Sequence, residues 1–231
     1  MATTIHPAIR TRMTMTTDGL LTLQQWLSPA YPVGAFAWSH GLEQAIADGQ
    51  VRDADSLCDW LEVVLAHGAG RSDAILLVAA HDAADAAALA GIAELAAALA
   101  PSAGRRAEAL AQGAAFAATT RDVWGYDLPD LPDMAYPVAV GRAAALAGVP
   151  VGDVVQAYLL AFVTSLAQAA QRLMPLGQTG AHRVIRALAP LCADVARAAL
   201  AATPDDLGSA AFAIDIAAMR HEVLAPRIFR S

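Results

Sequence analysis

Residues 153–174 read DVVQAYLLAFVTSLAQAAQRLM. Asp153 suits an N-cap, and Val155, Tyr158, Leu159, Phe162, Val163, Leu166, Ala170 and Leu173 recur at the spacing of one helical face. Charges are so few that such a helix must be covered on most sides. Asp153–Leu173 is therefore expected to be the core helix, or a helix between two copies, with Tyr158, Leu159 and Phe162 at its centre. Three glutamines, a serine and a threonine interrupt the uncharged stretch 154–171, which a bilayer span would not tolerate well.

The rest of the chain has the composition of a helical protein. Of 231 residues, 57% are hydrophobic and 16% charged, with a mean hydropathy of +0.44. Roughly a quarter are alanine, the strongest helix former. The pattern predicts helices over 18–27, 39–48, 53–67, 72–100, 105–120, 137–148, 153–173, 179–202 and 209–219. No strand, repeat or domain boundary is legible. The fold class expected is all-α, a bundle of about eight to ten helices, with 1–17 a disordered leader and 18–231 one helical domain. The absence of an apolar signal core points to a cytoplasmic protein.

Composition also excludes chemistry. Lysine is absent and all fifteen basic residues are arginine, so there is no Walker A lysine and no Schiff-base lysine. A net charge of −7 with no basic run argues against nucleic acid. Cys58 and Cys192 stand alone in helical patterns and are expected to be free thiols. No HExxH, GxSxG or Glu-x-x-His motif occurs. His67, His81 and the run Asp127, Asp130, Asp133 read as helix ends and solvated loop. No catalytic residue and no metal ligand set is expected.

Two non-helical joints and a tail are over-specified for connectors. Residues 28–43, SPAYPVGAFAWSHGLE, hold two prolines, two glycines and three aromatics. Residues 173–180 read LMPLGQTG, and the chain ends DIAAMRHEVLAPRIFRS over 215–231. Aromatics and arginines are favoured in protein interfaces. Tyr31, Phe36 and Trp38 in the first joint, and Arg220, His221, Glu222, Arg227, Phe229 and Arg230 in the tail, are candidates of that kind. From these residues alone the tail either packs back on the body or orders on a partner.

These three stretches, in this order, resemble the UreF family of urease accessory proteins, with a weaker match at 105–113, RRAEALAQG, and at 137–144. The resemblance runs from Leu20 to the end. It implies an all-α accessory protein that is not an enzyme. It also implies partners: a UreD/UreH-type accessory protein, the GTPase UreG, and apo-urease through the complex. Nickel and GTP are then handled by those partners, with no cofactor held stably by this chain, and the chain forms a homodimer. Phe36 matches the aromatic of the family's Pro-(Val/Ile)-Gly-x-aromatic motif and Arg227 its C-terminal arginine. The partner-binding residues implied are Tyr31, Pro32, Gly34, Phe36, Trp38, His40, Glu43, Arg220, His221, Glu222, Arg227 and Phe229. The tail 219–231 is expected to be ordered mainly by the UreD-type partner, so a chain ending at Ala218 should keep its fold. The alternatives are a helical enzyme with an unrecognised polar pocket, and a helical regulator that binds DNA.

Overall fold

The computed structural model describes residues 14–231; residues 1–13 of the expected leader lie outside them. The helices in chain order are α1 (Thr17–Trp26), α2 (Leu42–Ala47), α3 (Ala54–His67), α4 (Ala69–His81), α5 (Ala86–Ala98), α6 (Ala103–Trp124), α7 (Tyr136–Leu146), α8 (Val151–Leu173), α9 (Gly177–Ala199) and α10 (Phe212–His221). Short 3-10 turns lie at Ala35–Ala37 and Pro204–Asp206. There is no strand among the described residues.

Side-chain caps start α1, α3, α5 and α6. Thr16, not Asp18, caps α1, its hydroxyl accepting from the Gly19 N–H at 3.0 Å. Asp53 and Ser56 form a reciprocal box at the start of α3. The single helix expected over 72–100 is two. Gly68 leaves helical geometry so that α4 begins at Ala69, and Asp85 accepts from Ala88 N–H at 2.8 Å to start α5. Alanine propensity is uniform across this stretch, so a single cap decides where it breaks. α6 runs through Trp124 into the expected loop and stops at Gly125, whose φ of 68° is the left-handed C-cap geometry. The second joint is partly helical, because α9 starts at Gly177, and α9 continues through Pro190.

α8 packs on α9, α4 on α7, α6 on α7 and α3 on α9. One buried apolar cluster links them, including Leu57, Leu77, Phe116, Val138, Val155, Leu159, Val163 and Leu188. Two glycines permit the closest approaches. A β-carbon at Gly113 would overlap the Met134 carbonyl, and one at Gly141 the Leu77 carbonyl. One face of α8 lies in the core. Tyr158 and Leu159 are buried within the chain and Phe162 is half-buried against His40, so Tyr158 and Leu159 offer no surface to a second copy. Gln156, Leu160 and Gln168 occupy the exposed side.

Candidate partner interface

The first joint and the tail meet. Arg230 N–H donates to the Ala37 carbonyl at 2.9 Å, and Ser39 N–H to the Ser231 carbonyl at 3.1 Å. The Ser39 hydroxyl also donates to that carbonyl and accepts weakly from Glu43 N–H at 3.4 Å. Glu43, on the first turn of α2, is the centre of this clasp. Its two oxygens accept from Ile228 N–H at 2.6 Å and Phe229 N–H at 3.0 Å, and His221 Nε2 lies 2.8 Å away. Burial alone would raise the Glu43 carboxyl; the His221 bond and the two backbone donors outweigh it and hold the carboxyl below its ordinary range.

A second buried polar cluster sits beneath. Arg105 and Glu108, one turn apart on α6, form a buried ion pair, and the Ser231 hydroxyl donates to Glu108 at 2.5 Å. Burial pushes the Glu108 carboxyl up, but Arg105, His40 and Ser231 bring it down to about 2. His40 is driven the other way, to about 4, by burial and then by Arg105, so it is neutral near pH 7. Asp73 accepts from the Tyr158 hydroxyl at 2.8 Å, and its separation from water raises it to about 6 against the pull of Arg105. Among the described residues, no three His, Cys, Asp or Glu side chains converge on a metal position.

Six of the twelve expected interface residues are therefore interior. Tyr31 is packed between Phe116 and Trp124 and bonded to Thr120 at 2.8 Å. Trp38, His40, Glu43, His221 and Phe229 are buried in or beside the clasp. Gly34 supplies a left-handed turn with φ of 71°. The exposed members are Pro32, Phe36, Arg220, Glu222 and Arg227. Arg220 reaches Asp48 at 3.5 Å, and Glu222 accepts from Gly104 N–H at 3.2 Å. The expectation that the tail waits for a partner to order it is corrected. The Glu43 carboxylate and the Glu108 pair need donors inside the fold, and residues 221–231 supply them.

Among the described residues, two apolar surfaces stand out as open. The first is a groove of about 630 Å³ between α1, the first joint and α8, walled by Leu20, Leu23, Leu27, Ala157, Leu160 and Ala161. Phe36 stands at its rim, 75% exposed. Arg172, at the end of α8, donates to the Phe36 carbonyl and lies 4.3 Å over the Phe229 ring. The second is a stripe on α10 and its exit. Phe212, Ile216, Met219 and Val223 follow one another at four, three and four residues and are all exposed.

Sequence reasoning passed over Arg172, Asp73 and the Arg105–Glu108 pair as site-forming residues. Arg105–Gly113 was legible only as a motif. The α10 stripe did carry a signal, the helical spacing of 212, 216, 219 and 223, but spacing gives a face without saying whether the fold covers it.

A family model described as UreF matches residues 51–189. The chain is 49% identical over 228 residues to a protein named urease accessory protein UreF from Roseobacter denitrificans, covering 99% of this chain and 100% of that relative. Relatives of the same name from Cereibacter sphaeroides (53% over 212 residues, 92% of this chain and 98% of theirs) and a Ruegeria species (52% over 217 residues, 94% and 100%) match similarly.

Proposed function

The chain belongs to the UreF family of urease accessory proteins, and from that premise we propose that it bridges a UreD/UreH-type accessory protein and the GTPase UreG in delivering nickel to apo-urease. It is an accessory protein and not an enzyme. In this reading nickel and GTP stay with the partners, and two copies associate through surfaces other than Tyr158 and Leu159. One observation carries the bridging role: among the described residues, open apolar surfaces lie on different elements, the Phe36-rimmed groove and the α10 stripe. A bridge needs two such surfaces, and large apolar side chains left in water are a standing cost unless a partner covers them. The clasp supports the same reading, because it holds Phe36 and α10 in place before any partner arrives, which limits the ordering cost of binding.

The test is reconstitution with purified UreD/UreH-type protein and UreG. Phe36→Ala is expected to lose one partner, and the double variant Phe212→Ser, Ile216→Ser the other, each retaining the second. Loss of both partners by either variant alone, with the fold intact, would refute separate faces.

A further inference from the structure

The groove beside α8 is polarised along its length. Asp153 lies at one end and Arg172 at the other, both lining it. Nineteen residues of helix separate them, about 28 Å at 1.5 Å per residue. Trp38 lines the groove as well, and the Arg230 guanidinium, outside the lining, lies 5.8 Å over the Trp38 ring. Among the described residues neither Arg172 nor Arg230 forms an ion pair. Arg172 is met only by the Phe36 carbonyl and the Phe229 ring, which leaves most of its N–H donors free. Asp153 and Arg172 are the charged side chains lining the groove among the described residues, one at each end. Between the two ends, with Gln156 and Gln168 flanking it, the middle of the α8 wall is Ala157, Leu160, Ala161, Thr164 and Ser165. Those side chains let another helix come close, and the groove already lies between two helices, α1 and α8.

We propose that this groove receives one amphipathic helix of a partner protein, laid along α8, with its acidic end against Arg172 and its basic end towards Asp153. The inference rests on the bridging function above and specifies the chemistry of the partner that the Phe36 side takes. Apolar side chains at i, i+3, i+4 and i+7 of the incoming helix fill the space over Ala157, Leu160 and Ala161. Phe36 closes over it at the rim. The charges fix direction, since a helix laid the other way would put like charges together at both ends. Arg172 is thus both a clip that holds Phe36 outward and a charge that reads the partner.

The experiment measures the affinity of the full chain for purified UreD/UreH-type protein and for UreG, separately, at low and high salt. Arg172→Glu and Leu160→Asp are each expected to weaken the partner that Phe36→Ala loses by about thirtyfold or more, and to leave the other unchanged. Arg172→Lys keeps the charge and should stay within about threefold of the parent, while Arg172→Ala does not. The parent's binding should weaken with salt, and that dependence should flatten in Arg172→Glu. Circular dichroism and melting check each variant. Should Arg172→Glu unfold, Gln168→Glu on the same exposed row makes the same like-charge test. Unchanged affinity for both partners in Arg172→Glu and Leu160→Asp overturns the proposal. If Phe36→Ala still loses its partner in that case, the bridging reading survives and only the groove assignment falls. A parent dimer that Leu160→Asp alone converts to a monomer by sedimentation would put a second copy in the groove, and that also overturns it.

Discussion

α10 and the tail that follows it are built in opposite senses. On α10 the large apolar residues Phe212, Ile216 and Met219, with Val223 just beyond, face water. At the end of α10 and in the tail beyond it, His221, Phe229 and Ser231 face inward, and buried Glu43 and Glu108 receive them. Half of the motif residues, Tyr31, Trp38, His40, Glu43, His221 and Phe229, are thus structural, and the open stripe shares the same C-terminal stretch with some of them. A buried carboxylate demands particular donors at particular places, so it imposes a recognisable sequence. An apolar contact face demands only bulk and spacing. The buried half of the unusual residues closes the chain on itself and holds in position the surface that Phe36 and the α10 stripe offer outward.

The largest effect sharpens this contrast by showing what ordinary core costs. Leu159 is fully buried on α8, so Leu159→Arg forces an unpaired charge into the apolar cluster and should destabilise by about 3–5 kcal/mol or abolish folding. Soluble expression and urea titration read it; a melt unchanged from the parent would remove α8 from the core.

Next comes the clasp. Deleting 219–231 leaves Glu43 and Glu108 buried without their tail donors, and the melting temperature should fall clearly, contrary to the expectation from sequence. Glu43→Ala, which strands the Ile228 and Phe229 N–H groups and His221, should cost about 2–4 kcal/mol and expose the 228–231 amides to hydrogen exchange. The carboxyls of Glu43 and Glu108 sit lower in the folded state than in the unfolded one. Their contribution is therefore present above the ordinary glutamate range and lost as pH falls through the folded values, to about 2 for Glu108. Tail amides that exchange no faster in Glu43→Ala would break the distinction between the two regions.

A smaller effect of opposite sign is expected at Asp73. Its carboxyl is raised to about 6, so ionisation above that pH penalises the native state. Asp73→Asn should be more stable than the parent at pH 8 by on the order of 1–3 kcal/mol, and the gain should vanish as pH falls from about 6 towards the unfolded range near 4. Equal melting curves at pH 8 would show that Arg105 and Tyr158 already compensate the charge.

The smallest stability effect belongs to the open stripe. Phe212→Ser and Ile216→Ser remove exposed apolar surface and should move stability by no more than about 0.5 kcal/mol each. A large drop in melting temperature would mean that the face is covered within the chain, and the comparison with the tail would fail.

Sequence alone determined the helical class, the course of α3 and α8, the free cysteines and the family resemblance. Those follow from alanine content, from apolar residues at helical spacing, and from short motifs, all of which are local or compositional. It located the joint and tail as special stretches, yet read them as surfaces. Only the tertiary structure decided that they close on each other, because a bond between Glu43 and Phe229 spans nearly the whole chain and leaves no periodic trace. The same limit governs α8 and α10. Periodicity gave each an apolar face, and which face is covered depends on what the remaining helices bring against it. Leu159 lies in the core cluster, while Ile216 meets solvent. Burial is a property of the assembled packing, so residues of like hydrophobicity and like spacing end in opposite environments.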